Sequence, residues 1–297
     1  MFFGGPRFRE LIPEFISHHD MYSDDRRTTA SNLRILARHL GELRLKEIAL
    51  PQIESFLAAR VQEGVGRSTL NRQRATLSRF FSWAIARGHH PGPNPVKAVQ
   101  KFKEAPGRER FLTEVEAERL LLAAAGHIKP VIMAALHTGG RLGELLALRW
   151  ADIRWDVPPH GLITFRKETT KSKRQRSVPI SEDLAKCLRG LKRRQPDDRI
   201  FGFRGEGLRS IRTAFESARE RAGLGELRFH DLRHTFASWF VQNEGDVYRL
   251  QNYLGHSTIK MTQRYAHLSE TFLQEGVRHF GPPKQQSPTR QSEDPQV

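Results

Sequence analysis

The sequence predicts two parts: an all-α bundle at the N-terminus, then a larger, mainly α domain containing a small β-sheet, of the α+β class. Three observations predict this. Apolar residues recur at helical spacing from Phe8 to about Gly88, a proline-rich run then interrupts the pattern, and a short extended stretch near residues 162–180 divides a second helical region. A chain of 297 residues is long enough for two domains, each with a core of ordinary size.

Four helices are expected in the first part. The first carries Phe8, Leu11, Ile12, Phe15 and Ile16, and the second runs from about Thr28 through Leu33, Leu36 and Leu40. The third starts near Pro51, whose missing N–H is harmless in a first turn, continues through Ile53, Phe56, Leu57 and Val61, and ends near Gly64 and Gly66. A longer fourth helix, capped by Ser68, sets Leu70, Leu77, Phe80, Phe81, Trp83 and Ile85 on one side and Arg67, Arg72, Arg74 and Arg79 elsewhere. The bundle therefore has a basic surface.

His89 to Pro95 holds three prolines, which remove donors and restrict the residues before them, so no helix continues through it. We expect the first domain over residues 1–98, a basic linker over 99–110 and the second domain over 111–281. The second domain opens with Thr113 and Glu116 at capping-box spacing before Leu120, Leu121 and Leu122, and its helical pattern persists to Trp150. Leu162, Ile163 and Phe165, the basic stretch from Lys167 to Ser177, and Val178-Pro179-Ile180 then read as a short hairpin with a basic tip. Helices return from about Leu208 to Phe280. Residues 282–297 are rich in Pro, Gln and Ser and are expected to be disordered.

Lysine and arginine number 49 against 33 acidic residues, a formal charge of +16. That excess exceeds what solubility requires and points to a polyanion such as nucleic acid, although basic surfaces without specific partners also exist. The single cysteine, Cys187, forms no internal disulfide, and no Cys/His cluster has zinc spacing, so neither metal nor cofactor is expected. No stretch approaches the roughly 20 apolar residues of a membrane span, which leads us to expect a soluble cytoplasmic protein with no membrane partner.

Four short segments carry chemistry. Arg141 follows Gly139-Gly140 at the start of a helix with Leu142, Leu145 and Leu146 inside; a cation there opposes the helix dipole, whereas a bound phosphate is favoured. Its bland alternative is an ion pair with Glu144, three residues on. In His230-Asp231-Leu232-Arg233-His234, His230 and Arg233 share a helix face, a poor ion pair but a suitable grip on one phosphate. His234 reads as a packing and hydrogen-bonding residue. Val247, Leu250 and Leu254 form a stripe that stops at Gly255, with His256 next and a new helix able to start at Ser257. Tyr265, taken alone, reads as a half-buried packing residue.

Together, Thr138 to Trp150, His230 to Ser238, Leu254-Gly255-His256 and Thr262 to His267 resemble the motifs of the tyrosine recombinase (phage integrase) family, in that family's order. The resemblance implies that Tyr265 is the nucleophile, Arg141 and Arg233 the paired arginines, and His230 and His256 the pocket histidines. It selects Lys171, seven residues before Val178-Pro179, as the catalytic lysine, with Lys173 as alternate. It further implies a two-domain clamp on double-stranded DNA at a specific core site and a tetramer on DNA; the basic bundle surface and hairpin tip add expected non-catalytic contacts through Arg67, Arg72, Arg74, Arg79, Lys173, Arg174 and Arg176, and we expect a monomer in solution. The chain enters its bundle almost at once, so an arm-site-binding domain is not expected. Residues Thr271 to Phe280 are expected either to pass to a neighbouring subunit or to pack within their own domain.

The implied activity is site-specific recombination through a 3′-phosphotyrosyl intermediate and a Holliday junction, without ATP or metal. Two rivals remain at this point. One is relaxation of supercoils in the manner of a type IB topoisomerase, and the other is a non-catalytic DNA-binding relative.

Overall fold

The computed structural model describes residues 5–23, 25–105, 110–170, 173–192, 195–243 and 245–268. The chain divides into two compact units, residues 1–107 and 108–297. The architecture is mainly helical with small antiparallel sheets.

Unit 1 is built from α1 (Phe8–Tyr22), α2 (Arg26–Leu40), α3 (Leu50–Gln62) and α4 (Arg67–Ala86). Leu33, Leu36, Leu70, Leu77, Phe80 and Phe81 are fully buried, and the Phe8 ring packs tilted against Phe80 with centroids 4.5 Å apart. This is the apolar stripe the helical spacing predicts. Two buried polar pairs are neutral: Asn32 Nδ2 donates to Thr76 Oγ1 at 3.0 Å, and His19 meets Thr29 at 3.1 Å.

Two local expectations change here. Gly66, not Ser68, flanks the start of α4: its carbonyl accepts from the Thr69 and Leu70 amides, while Ser68 Oγ accepts from Arg72 Nη2 at 3.1 Å. The stretch expected to be linker is also held on α4. Arg74 donates through Nε and Nη2 to the Val99 carbonyl at 3.0 and 2.8 Å, and Asn71 pairs with the Phe102 backbone in both directions at 3.0 Å. Val96 and Val99 are buried in the same core, so the unit extends past residue 98.

Unit 2 begins with α5 (Glu114–Ala123), whose capping box forms as its sequence spacing predicts: Thr113 Oγ1 accepts from the Glu116 amide at 3.2 Å, and Glu116 Oε2 accepts from the Thr113 amide at 3.0 Å. The helical pattern toward Trp150 resolves into α6 (Lys129–Thr138), α7 (Leu142–Leu146) and a 3-10 turn over Trp150–Asp152. Gly139 ends α6 in the left-handed region at φ 63°, and at Gly140 a side chain would collide with Leu145. Both glycines are thus required for the tight step from α6 to Arg141.

Strands β1 (Ile153–Arg154), β2 (Leu162–Phe165) and β3 (Arg176–Pro179) form an antiparallel sheet in that order, with Phe165 opposite Arg176 and Ile163 opposite Val178. Helix α8 (Glu182–Arg189) follows, then a small pair, β4 (Gly202–Phe203) and β5 (Glu206–Gly207). Two-residue strands are too short to show alternation, which explains why the sequence pattern misses this pair. Helices α9 (Arg212–Arg221), α10 (Asp231–Gln242), α11 (Val247–Leu254) and α12 (Lys260–Gln263) complete the described fold. The main core joins α6, β2, β3 and α8 through Val131, Ile132, Ile163, Phe165, Val178 and Leu184. A smaller cluster gathers Phe236, Val241, Leu250, Leu254 and Tyr265. Among the described residues, no helix is long and apolar enough to cross a membrane.

Candidate active site

Arg141 is extended at φ −71° and ψ 148° and flanks the first turn of α7. Its amide donates to Glu144 Oε2 and its Nη1 to Glu144 Oε1, both at 2.9 Å. Glu144, almost wholly buried, also accepts from Arg176 Nη2 at 2.6 Å. The ion pair expected as the bland alternative for Arg141 is therefore real, yet it leaves most of a five-donor guanidinium to bind an anion. Burial works against the ionised carboxyl of Glu144, but hydrogen bonds and charge from Arg176, then Arg141, hold it below its ordinary value.

Arg176 corrects an expectation. As a proposed DNA contact it should be exposed, but it is buried, donates from Nε to the Tyr253 carbonyl at 2.7 Å, and lies 4.3 Å over the Phe165 ring. The reason is strand register: the two-residue period of β3 puts Arg176 and Val178 on the core face. Arg74, also named as a DNA contact, is half-buried and bound to the Val99 carbonyl. Arg67, Arg72, Arg79, Lys173 and Arg174 are exposed. Lys171 lies outside the described residues, as do Thr271 to Phe280.

Helix α10 supplies the next group. Arg233 is 3% exposed and donates to the Gly139 carbonyl at 2.7 Å and the Leu254 carbonyl at 2.6 Å, which ties α6, α10 and α11 to one side chain. Burial, then the charges of Arg141 and Arg176, lower its pKa to about 9. The cluster holds more positive charge than its carboxylate neutralises, so an anion bound there is favoured.

His256 follows the left-handed cap Gly255 (φ 66°), and its Nδ1 lies 2.8 Å from Thr262 Oγ1. Burial and then Arg233, Arg141 and Arg176 push its pKa down to about 3. His230 flanks the start of α10; it keeps solvent access, yet desolvation and then Arg233 and Arg141 hold it below its ordinary value. Both rings are therefore neutral at pH 7 and available as hydrogen-bond partners to a phosphate.

Tyr265 is 6% exposed, and its hydroxyl lies 2.5 Å from His234 Nδ1. It comes just after α12, which starts at Lys260 and not at Ser257. The packing role expected of Tyr265 taken alone is met by its cluster with Phe236 and Leu254, while the polar end faces α10. His234, expected to pack and to hydrogen-bond, does so directly at the tyrosine. Burial, then His230 and Arg264, lower its pKa to about 4. The available sequence signal was position: His234 follows His230 by one helical turn, and their rings lie 5.2 Å apart. Thr262 was likewise missed as a support, and so was the second partner of Glu144, Arg176, since no local spacing marks either contact before folding. Among the described residues, no cluster of three His, Cys, Asp or Glu could hold a metal.

A buried tyrosine, two guanidinia and three histidines from α6–α7, α10 and the segment following α11 thus come together around an excess of positive charge. Residues 110–271 match the phage integrase family, and residues 6–103 match the phage integrase N-terminal domain. The chain belongs to the phage integrase family. It is 31% identical over 231 residues to the integrase of Escherichia phage P2, covering 78% of this chain and 64% of that one, so it spans just under two thirds of that relative's length. The integrase of Haemophilus phage HP1 is 30% identical over 293 residues, covering 93% of this chain and 81% of that protein. A lambda integrase tetramer bound to a Holliday junction shares the fold, with a TM-score of 0.73 at 23% identity, covering 88% of this chain and 77% of that one.

Proposed function

We propose that this protein is a tyrosine-type site-specific DNA recombinase that cuts and rejoins DNA through a 3′-phosphotyrosyl bond. The observation that carries the proposal is the convergence of the Tyr265 hydroxyl, on the far side of α12, with His234 and Arg233 of α10, in a pocket whose cations crowd one another. Such a pocket suits a phosphodiester. Attack concentrates charge on the non-bridging oxygens, and preorganised donors facing them each contribute about 2.7–4 kcal/mol. Arg141 and Arg233 supply planar forks that never change protonation during the reaction. His230 and His256 add neutral donors.

A tyrosine hydroxyl titrates near pH 10, so it loses its proton as it attacks, with help from a pocket histidine. The departing 5′ oxygen needs a proton in return. Lys171, placed by chain order between β2 and β3, is the residue we assign to donate it. The phosphotyrosyl bond conserves the energy of the cut backbone, so a 5′ hydroxyl from a second duplex rejoins it without ATP. Membership of the phage integrase family supports this reading, and with it a core DNA site, a tetramer and a Holliday junction intermediate, as in the lambda integrase complex.

A nicked suicide duplex carrying the target site tests the proposal. Wild-type protein should become covalently attached to DNA, and Tyr265→Phe should not. Relaxation of supercoiled plasmid at no preferred sequence, with no junction products, would instead support a topoisomerase. DNA binding with no adduct under any condition would leave a non-catalytic relative.

A further inference from the structure

We infer that His234 is the proton acceptor for Tyr265: its Nδ1 takes the phenolic proton as the tyrosine oxygen attacks phosphorus, and returns it when the strand is rejoined. This inference rests on the recombinase reading above and adds a catalytic residue to it. The geometry is direct. The Tyr265 hydroxyl lies 2.5 Å from His234 Nδ1, close enough for proton transfer without an intervening water, and with the His234 proton on Nε2 the phenol is the donor. The tyrosine side is fixed by its packing against Phe236 and Leu254, and the histidine side by α10, so neither partner has to be recruited.

The step balances. The Tyr265 O–H bond breaks as an N–H bond forms on His234; the tyrosine oxygen bonds to phosphorus as the bond to the 5′ oxygen breaks; and that oxygen takes a proton from the acid assigned to Lys171. In rejoining, the incoming 5′ hydroxyl yields its proton to the lysine, and His234 reprotonates the departing phenolate. His230 is then left to hold the phosphate beside Arg233, its neighbour on the same helix face.

The surroundings also make the acceptor conditional on substrate. His230, Asp231 and Arg233 of its own helix, Arg264 beside Tyr265, and His256 after α11 are the charged and titratable groups around it. Without DNA their balance and burial keep His234 a weak base, with a pKa of about 4. A phosphate held by Arg141 and Arg233 brings negative charge among these groups and raises its basicity. Proton removal is thereby favoured when a phosphate is present to be attacked.

The test uses the full chain, the nicked suicide duplex, and single-turnover adduct formation. His234→Asn keeps a hydrogen-bonding atom near Nδ1 but cannot accept a proton; it should bind the duplex as wild type does and form adduct about 100-fold more slowly at pH 7. His234→Ala should lose as much, regain part of the rate when imidazole is added, and accelerate with rising pH over the range in which wild type is flat. Adduct formation by both variants within about threefold of wild type would overturn the assignment and leave the recombinase reading intact. A loss in both variants with no imidazole rescue and a wild-type pH profile would also overturn it, showing a structural role. If wild type forms no adduct, the recombinase reading fails first, and this inference falls with it.

Discussion

The two units bury polar groups in different ways. Among the described residues, unit 1 buries His19, Thr29, Asn32, Asn71, Gln73, Thr76 and Asn94, with no lysine, arginine, aspartate or glutamate, whereas unit 2 buries Glu144, Asp152, Arg176, Asp231 and Arg233. Neutral pairs such as Asn32 with Thr76 cost little to desolvate. Buried ions cost far more, and the Arg141–Glu144–Arg176 bridge with Arg233 beside it is tolerated because backbone carbonyls and one carboxylate partner most of its donors, Arg176 Nη1 being the buried exception. The difference teaches where the chemistry lies. Unit 1 is held by apolar packing, while unit 2 carries unbalanced charge that only a ligand completes.

That contrast can be broken most severely at Arg233. Arg233→Lys removes the planar fork that bonds Gly139 and Leu254, and adduct formation should fall about 100- to 1,000-fold, the scale of losing one preorganised donor. Single-turnover cleavage of the suicide duplex measures it, and a loss below tenfold would remove Arg233 from the phosphate site. Comparable in size is Glu144→Gln, which leaves Arg176 and Arg141 without their counter-ion and should destabilise unit 2 by about 3–5 kcal/mol. Urea unfolding, followed through a probe in each unit, should show unit 1 unchanged. Asn32→Ala in unit 1 leaves Thr76 with one partner fewer and should cost only about 1–3 kcal/mol in the same measurement. A larger loss there than at Glu144 would reverse the comparison.

The smallest effect concerns pH. His234 and His256 have folded pKa values of about 4 and about 3, below the roughly 6.5 of an unfolded histidine. Between those values the unfolded chain binds more protons. Stability of unit 2 should therefore be full above pH 6.5 and fall steadily as pH drops toward about 3, with solvent screening of these half-exposed rings limiting the size. Melting temperatures across that range should show the fall, and added inorganic phosphate should reduce it. A flat profile would mean that the cationic pocket does not hold the histidines neutral.

Much of this was legible in the sequence. The helical stripes of α1 to α4, the Thr113 capping box, the Gly139-Gly140 step and the Gly255 cap each follow from local rules, and each forms as its pattern predicts. The four motifs also brought Arg141, His230, Arg233, His256 and Tyr265 into view before any fold existed. What stayed hidden depends on tertiary placement. The burial of Arg176 follows from strand register, which a basic stretch conceals, and the partnership of His234 with Tyr265 joins residues 31 positions apart, one on α10 and one in the turn after α12. The hold of α4 on residues 99–102 is of the same kind, since Asn71 and Arg74 bind backbone atoms that no side-chain pattern announces.

The central claim is that one particular tyrosine of the four in the chain attacks DNA. Tyr22 and Tyr248 are exposed and Tyr253 packs beside Phe240, whereas the Tyr265 hydroxyl meets His234 within the charged pocket. Digestion of the trapped protein–DNA adduct, followed by mass spectrometry of the nucleotide-bearing peptide, identifies the attached residue. The account predicts a phosphodiester on Tyr265 and on no other tyrosine. A nucleotide on Tyr22, Tyr248 or Tyr253 would contradict it.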